Sequence, residues 1–275
     1  MPLPVIPSPH HPSRDDLLRL FHQAQSRWCQ NLAQEQALDV GTAYANPRLG
    51  AVCEANSIRD AALPEGMSAR DAYELVERHY AAANARCACW TMNPSAARAR
   101  TDPLVEHLRS LGYRERRADL LLLRQSGQPA SSDPGDVRVI PARASFRHAR
   151  IILEELAALR NQPQLVEAAM CQLDDPHWEP LLAMRRGRPI AYGGVLSVGQ
   201  VGRIDQVFVS ADHRRQGIGQ LMMARILDIC ARSLFRHVML AVPPDQAAAQ
   251  AFCCKMGFQA VGQLVSYRRP GLGED

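Results

Sequence analysis

The sequence predicts an α/β protein with a mixed central sheet flanked by helices, preceded by a smaller α/β N-terminal domain. Apolar residues make up 47% of the 275-residue chain, which is enough for a sizeable buried core. Short apolar runs typical of strands alternate with amphipathic helical patterns. A polar stretch rich in Ser, Gly and Pro interrupts this alternation near the middle of the chain.

That polar stretch, residues 126–136, is interpreted as a linker because it offers almost nothing to bury. The linker divides the chain into an N-terminal domain at residues 1–125 and a second domain at residues 137–270. The second domain shows the element order β-α-(α)-β-β-β-α-β-α-β, which is the order of a mixed α/β sheet.

The N-terminal domain is predicted to begin with a helix capped by Ser13 that continues towards Leu38. Residues 41–66 are predicted to be loop-like, because Asn-Pro and Pro-Glu-Gly sequences interrupt them. A helix capped by Ser68 follows, and another ends at Gly112. Short strands are predicted at residues 87–92 and 120–123.

A weak internal repeat connects the two parts. Leu108–Tyr113 resembles Cys254–Phe258, because each joins the end of a helix to a Gly, an aromatic residue and a strand. The N-terminal domain is therefore interpreted as a degenerate copy of the later part of the second domain. The alternative is that such helix-Gly-aromatic-strand joints are simply common.

Composition narrows the function classes. The net charge of +4 and pI near 8.7 fit an anionic ligand, and they lack the dense basic stripe of a nucleic-acid binder. No stretch approaches the ~20 apolar residues of a membrane span, and no secretory signal is visible. The eight Cys residues form no C-x-x-C pair, so we expect reduced thiols, no metal site and a cytoplasmic protein.

The strongest motif follows an apolar strand that ends in Val207-Phe208-Val209. A turn and the sequence Arg214-Arg215-Gln216-Gly217-Ile218-Gly219 then open a helix. The N–H groups and the positive dipole end of a helix start bind anions, and glycines let a pyrophosphate approach the backbone. The motif is neither a P-loop nor a dinucleotide fingerprint. The alternative is a helix that merely begins with glycines beside surface arginines.

The segment from Arg214 to Gly219 resembles the R/Q-x-x-G-x-G/A signature of the GNAT superfamily of N-acetyltransferases. The strand end Val242-Pro243, the Ala-rich helix after it and Lys255-Met256-Gly257-Phe258 are similar to that family's closing elements. The resemblance covers residues 137–270, about half of the chain.

The resemblance implies a GNAT-type sheet and acetyl transfer from acetyl-CoA, as co-substrate, directly to a primary amine. It implies no metal and no covalent enzyme intermediate. The acceptor would be a small-molecule or peptide amine, handled by a monomer or homodimer without nucleic acid or membrane. Two groups of residues would contact acetyl-CoA: the strand Val207, Phe208 and Val209 along the pantetheine arm, and Arg214, Arg215, Gln216, Gly217, Ile218 and Gly219 around the pyrophosphate.

Direct attack needs a neutral amine, and deprotonating a Lys-like amine of pKa ~10.4 at pH 7 costs about 4–5 kcal/mol. A general base is therefore expected. Asp205 is the candidate, because its spacing from Val207 and Val209 predicts that all three side chains share one sheet face. The alternatives are that Asp205 binds substrate or pairs with a neighbouring Arg, and that His177 or Glu179 is the base.

The family often uses a Tyr as general acid in a Y-x-K-x-G-F setting, and Cys253 occupies that position here. A thiol of pKa ~8.5 can protonate the CoA thiolate. The alternatives are a buried packing role for Cys253, with Tyr267 or Tyr192 as substitutes. The missing Tyr also leaves open a non-catalytic acyl-CoA-binding regulatory module. A nucleic-acid binder that uses the many Arg residues is a third hypothesis.

Overall fold

A computed structural model describes residues 12–123, 135–159 and 161–271. We call residues 12–123 the N-terminal half and residues 135–271 the C-terminal half. Most of the predicted linker lies outside the described residues. None of the helices in these ranges is long and apolar enough to cross a bilayer. The helices are α1 (Arg14–Gln30), α2 (Ala69–Ala82), α3 (Arg98–Ser110), α4 (Phe146–Leu159), α5 (Gln164–Gln172), α6 (Ile218–Arg232) and α7 (Ala247–Lys255).

The strands form a continuous mixed sheet within the described ranges. Its spatial order is β1-β2-β3-β4-β11-β5-β10-β9-β8-β7-β6. The strands are β1 (Gln34–Leu38), β2 (Gly41–Ala45), β3 (Ser57–Ala61), β4 (Cys89–Met92), β5 (Arg114–Leu123), β6 (Val137–Pro141), β7 (Trp178–Arg185), β8 (Arg188–Val198), β9 (Val201–Val209), β10 (His237–Val242) and β11 (Phe258–Arg268).

The two halves exchange strands at the centre of the sheet. β5 of the N-terminal half lies between β10 and β11 and pairs antiparallel with both. β11 of the C-terminal half in turn pairs antiparallel with β4. The sheet is therefore shared by both halves, whereas the predicted limits of 1–125 and 137–270 divide the chain by sequence alone. Those limits stay a prediction.

The N-terminal half repeats the element order of the C-terminal half. The series β3-α2-β4-α3-β5 corresponds to β9-α6-β10-α7-β11. The repeat includes a local irregularity, because Asp60 in β3 and Gln206 in β9 both have positive φ, at 53° and 56°. The ladder register shifts at both places. These correspondences support a degenerate GNAT-like copy in the N-terminal half.

The helices cover two faces of the sheet. On the α1 face, Trp28 of α1 packs edge-to-face on Trp178 of β7 with ring centroids 4.9 Å apart, and α4 and α5 complete the same core cluster. On the α6 face, Ile218 and Met222 pack against the other side of the C-terminal strands. Burial of these apolar surfaces is the main force that holds the helices on the sheet.

The predicted caps are confirmed, and two predictions for the N-terminal half are wrong. The Ser13 and Ser68 hydroxyls each accept an amide proton in the next turn, both at 3.1 Å. However, α1 ends at Gln30 instead of continuing towards Leu38, and the predicted loop 41–66 contains β2 and β3. The hydrophobic pattern did not reveal these strands for two reasons. β1 is a mostly exposed edge strand without an apolar run, and β3 buries polar residues.

Candidate active site

An opening lies between β9 and β10. These parallel strands pair at three positions, the last joining Arg203 to Met239. β9 then continues to Val209 along β8, whereas β10 continues to Val242 along β5. Among the described residues, the β10-facing edge of β9 thus has no strand partner beyond Arg203. An unpaired strand edge of this kind offers backbone hydrogen bonds to an extended ligand.

The segment predicted to bind the pyrophosphate, residues 214–219, leads from the end of β9 to the start of α6, and we call it the phosphate turn. Arg215 has φ 62° and Gly217 has φ 81°, so the chain turns through two left-handed residues before the helix begins. Gly217 is the N-cap and has no side chain of its own to cap the helix, and the first turn carries no acidic residue. This helix start keeps the positive dipole end that attracts an anion.

Side chains of the turn hold its shape. Gln216 accepts a hydrogen bond from Arg185 of β7 at 2.6 Å and donates one to the Asp212 carbonyl at 3.1 Å. Arg214 donates from Nε to the Val209 carbonyl at 3.0 Å, and its guanidinium carbon lies 6.0 Å from the centroid of the Phe208 ring. Both residues therefore brace the turn against the strands, while Arg214 also brings positive charge to it.

The corresponding helix start in the N-terminal half differs in chemistry. At the start of α2, the Ser68 hydroxyl caps the amide of Asp71, and the Asp71 carboxylate lies in the first turn. A hydroxyl cap and a carboxylate oppose the binding of another anion there. The prediction that the N-terminal half lacks a cofactor site is consistent with this difference and stays a prediction.

Space for a ligand remains at the start of α6. A Cβ built on Gly219 would lie 3.8 Å from the Phe252 ring of α7 and 3.8 Å from the Val209 side chain, which is ordinary van der Waals contact. Phe252 therefore flanks the mouth of the opening together with Val209. Phe252 is not among the residues predicted from the sequence, although its position next to Cys253 could have indicated it.

The predicted common face of Asp205, Val207 and Val209 is wrong. Val207 and Val209 pack with the α6 cluster, whereas Phe208 belongs to the cluster on the α1 face. Asp205 is on the α1 face as well, because its ion-pair partner Arg203 stacks on an aromatic residue of α1. Residues two apart in a regular strand have their side chains on the same face of the sheet. A β-bulge between Asp205 and Val207 breaks this alternation.

The bulge centres on Gln206, which has φ 56°. The register jumps from Tyr192↔Phe208 to Gly194↔Asp205, so two residues of β9 stand opposite Gly193 of β8. A Cβ on Gly193 would lie 3.0 Å from the Val207 Cα. Gly193 therefore permits the close approach that the bulge requires.

Asp205 is held firmly at the edge of the opening. Its carboxylate pairs with the guanidinium of Arg203 and accepts the amide proton of Gln206 at 2.8 Å. Arg203 is buried, and its guanidinium carbon lies 5.2 Å from the Phe21 ring centroid and 5.3 Å from that of Trp28. Asp205 itself keeps 31% of its side chain exposed, so it can still meet a substrate.

Cys253 lies in the apolar cluster on the α6 face, where it is 5% exposed. Burial raises the pKa of its thiol to about 11. The two alternative acids lie elsewhere. Tyr267 packs in the core of the N-terminal half, and Tyr192 is buried on the α1 face with its hydroxyl 3.4 Å from Trp178 Nε1.

Two further groups complete the surroundings of the site. The Ser210 hydroxyl, just after β9, donates a hydrogen bond to the Glu155 carboxylate of α4, an acidic side chain that is not among the predicted site residues. Nδ1 of His177 lies 3.0 Å from a guanidinium nitrogen of Arg27 and 3.1 Å from a carboxylate oxygen of the buried Asp175. Glu179 is the second residue of β7, where it lies opposite Val195 of β8.

Comparison with known families identifies the second half. Residues 148–258 match the profile of the acetyltransferase (GNAT) family, and these residues include the bulge, the opening and the phosphate turn. The C-terminal half is a GNAT domain. Acetyl transfer is the general activity of this family, and its fold generally binds acetyl-CoA. None of the curated proteins compared with the chain matches it.

Solved structures show that the fold of nearly the whole chain is shared. A GCN5-related N-acetyltransferase from Kribbella flavida has a TM-score of 0.63 at 17% identity, covering 92% of this chain and 95% of its own. A conserved protein of unknown function from Staphylococcus epidermidis ATCC 12228 has a TM-score of 0.62 at 14% identity, covering 86% and 93%.

A tandem GNAT protein from the clavulanic acid biosynthesis pathway is also similar. Its TM-score is 0.52 at 16% identity, and the alignment covers 73% of this chain and 67% of that one. Identities this low show the fold and not the substrate. The tandem arrangement fits the element repeat seen in the two halves of this chain.

Proposed function

We propose that this GNAT protein transfers an acetyl group from acetyl-CoA directly to a primary amine. The observation that carries the proposal is the opening between β9 and β10, which leads directly to the start of α6 at Gly217. An extended pantetheine arm fits the unpaired edge along Val207, Phe208 and Val209. A pyrophosphate fits the turn formed by Arg214, Arg215, Gln216, Gly217, Ile218 and Gly219.

The amine nitrogen attacks the thioester carbonyl, so a C–N bond forms and the C–S bond breaks. In this proposal Asp205 is the general base that accepts the proton lost by the amine. Cys253 is the general acid that donates a proton to the leaving thiolate. Asp205 lies on the α1 face and Cys253 on the α6 face. An opening through the sheet can be approached from both faces, so the amine and the proton donor need not compete for space.

The acceptor is proposed to be a small-molecule or peptide amine. The part of the chain that the structure describes contains all eight Cys residues, and they are unpaired. This supports a reducing, cytoplasmic environment. The protein would act as a monomer or homodimer, without nucleic acid or membrane.

Calorimetric titration with acetyl-CoA tests the cofactor site. Gly219→Asp places a carboxylate in the first turn of α6. This carboxylate interacts favourably with the helix dipole but repels a pyrophosphate. We expect the variant to fold and to bind acetyl-CoA about 30-fold more weakly, a repulsion of about 2 kcal/mol. Gly219→Ala is the matched control, because its Cβ meets only ordinary contacts. Equal affinity of all three proteins would contradict the proposed pyrophosphate site.

The second candidate function is a non-catalytic acyl-CoA-binding regulatory module. The observation that favours it is Cys253 at the position where the family often has Tyr. Both functions predict acetyl-CoA binding. Assay of acetyl-CoA consumption with a panel of primary amines separates them, since saturable binding without turnover on any amine supports the module.

A further inference from the structure

Two cysteines that are distant in the sequence meet in the N-terminal half. Cys53 begins the short helical turn before β3, and Cys89 is the first residue of β4. Together with Ala88 they form a small buried cluster of their own. The Cys53 thiol donates a hydrogen bond to the sulfur of Cys89. The two sulfur atoms are therefore neighbours in the folded chain, although both cysteines are unpaired.

Backbone hydrogen bonds hold the two cysteines together. The amide of Asn56 donates to the Cys53 carbonyl at 3.1 Å, and the amide of Ala88 donates to the Asn56 carbonyl at 2.8 Å. Directly after these bonds, Ser57 of β3 lies opposite Cys89 in the parallel ladder. The main chain thus fixes the turn that carries Cys53 against the start of β4, and the contact between the thiols does not depend on a long flexible side chain.

A guanidinium group lies beside the pair. Arg268 of β11 stands opposite Cys89 of β4 in the antiparallel ladder, so the two side chains are on the same face of the sheet. The Nε atom of Arg268 is buried and lacks a hydrogen-bond partner among the described residues. A buried cationic group with an unpartnered nitrogen is costly, so a negative charge next to Arg268 is favoured. A thiolate at Cys89 would supply such a charge.

The two thiols differ in acidity. The hydrogen bond from Cys53 lowers the pKa of the Cys89 thiol, against the effect of burial, which raises it. The same hydrogen bond raises the pKa of the Cys53 thiol, because Cys53 is the donor. Arg268 and Arg59 lower the pKa of Cys89 further, and the carboxylate of Glu54 opposes them to a smaller extent. The thiolate is the nucleophilic form of cysteine, so Cys89 is the reactive member of the pair.

Two other buried cysteines of the N-terminal half differ from the pair in access and acidity. Cys29 and Cys87 are fully buried, and burial raises the pKa of both thiols. Cys53 and Cys89 instead keep 8% and 6% of their surface exposed, so the pair lies at the edge of the core. Reactive cysteines are typically found in electropositive surroundings that a small reagent can reach. Both conditions are met at Cys89.

We propose that Cys53 and Cys89 are a redox-active pair that hydrogen peroxide oxidises to an intramolecular disulfide. The Cys89 thiolate attacks the peroxide, so an S–O bond forms and the O–O bond breaks. The departing hydroxide takes up the proton that Cys89 had lost, which gives a sulfenic acid and one water.

The second step closes the disulfide. The Cys53 sulfur attacks the Cys89 sulfur, so an S–S bond forms and the S–O bond breaks. The hydroxide leaves with the Cys53 proton as a second water. Two electrons pass from the two thiols to the peroxide. The pair is separate from acetyl transfer and does not depend on the proposed function.

Peptide mapping by mass spectrometry tests the proposal on the full chain. The reduced, folded protein is treated with hydrogen peroxide, its remaining thiols are alkylated, and its peptides are compared before and after reduction. We expect a cross-linked peptide that joins Cys53 to Cys89 and that dithiothreitol separates. Oxidation of the exposed Cys171 and Cys254 without a link between Cys53 and Cys89 would overturn the proposal.

Variants of the thiols separate the two steps. Cys53→Ser should stop the reaction at a Cys89 sulfenic acid, which dimedone traps, whereas Cys89→Ser should leave Cys53 reduced. Cys87→Ala, two residues before Cys89, is the control and should still form the link. A sulfenic acid at Cys53 in Cys89→Ser would contradict the assignment of Cys89 as the nucleophile.

A charge variant tests the guanidinium. Arg268→Gln should slow formation of the link about fivefold or more, because a neighbouring cation is what favours the thiolate. Arg70→Gln, on an arginine of α2 that is exposed to solvent, is the matched control and should react at the rate of the parent protein. Equal rates in Arg268→Gln and the parent protein would show that Arg268 does not activate Cys89 and would overturn that part of the proposal.

Discussion

At the scale of single residues, Asp205 combines a fixed position with partial exposure. Its ion pair with Arg203 and its bond to the Gln206 amide set the direction of the carboxylate. A general base must be positioned before its pKa matters, so these contacts suit the proposed role. The same contacts would also exist if Asp205 only neutralised Arg203, and the two roles differ in what a substitution does.

Asp205→Asn keeps the shape of the side chain and removes its ability to take a proton. We expect turnover with a primary amine to fall about 100-fold, because general-base catalysis contributes at least that much. Acetyl-CoA affinity, measured by calorimetry, should stay unchanged. Glu179→Gln is the matched control and should keep full turnover. If Asp205→Asn lowers only the free energy of unfolding, Asp205 is a counterion of Arg203 and not the base.

Cys253 is expected to contribute less than Asp205. Burial raises the pKa of its thiol to about 11, so the group is protonated at pH 7 to 8. Complete transfer of that proton to a thiolate of ordinary pKa, ~8.5, is unfavourable. We therefore expect Cys253→Ala to lower kcat by less than about tenfold, which is below the ~10²–10⁴-fold that general acid catalysis typically contributes.

The control for Cys253 is its exposed neighbour on α7, Cys254. Cys254→Ala should leave both kcat and acetyl-CoA affinity unchanged. A loss of kcat by more than about 100-fold in Cys253→Ala, with acetyl-CoA affinity intact, would instead make Cys253 a dedicated general acid. That outcome would mean that substrate binding lowers the pKa of the Cys253 thiol.

At the scale of elements, the sequence predicted the C-terminal half well because its signals are local. The strand-turn-helix at Gly217 and the turn at Arg186-Gly187 both depend on residues close together in the chain. The bulge at Gln206 has no such signal, since it arises from the pairing of β9 with Gly193 of β8. A period of two therefore placed Asp205 on the wrong face.

The two glycines of the phosphate turn are present for different reasons. Gly217 has φ 81°, so an Ala there is strained, and we expect Gly217→Ala to lower the free energy of unfolding by about 1–2 kcal/mol. Gly219 lies within the first turn of α6, where Ala is the better helix former and fits the space. Gly219→Ala should raise the free energy by up to about 1 kcal/mol.

Urea denaturation of both variants beside the parent protein measures these changes. Opposite signs for the two substitutions support the distinction between a backbone requirement at Gly217 and an open site at Gly219. A loss of stability in Gly219→Ala would show that the space around it is narrower than the 3.8 Å contacts indicate.

At the scale of the whole molecule, the strand exchange could not be predicted from the sequence. The pattern at Leu120–Leu123 predicts a strand, but nothing in it specifies partners more than a hundred residues away in β10 and β11. The same exchange explains why the sheet is continuous across the two halves, although the sequence predicts a linker between them. Each half is incomplete without the strand that the other provides.

The exchange predicts that both halves unfold together. All of β5 pairs with β11, so the N-terminal half cannot unfold without exposing the edge of a strand from the C-terminal half. Leu104 is fully buried in α3, and Leu104→Ala should cost about 2–5 kcal/mol. We expect one denaturation transition, in which helical circular dichroism and acetyl-CoA binding are lost together at the same lowered urea concentration.

Leu111, which follows α3 and is 43% exposed, provides the control. Leu111→Ala should shift the transition little, since an exposed side chain loses few contacts. Two separate transitions in Leu104→Ala, with acetyl-CoA binding retained after the first, would show that the GNAT half keeps its fold while β5 remains attached to it. β5 would then belong energetically to the C-terminal half, and the N-terminal half would be an accessory layer around a self-sufficient catalytic unit.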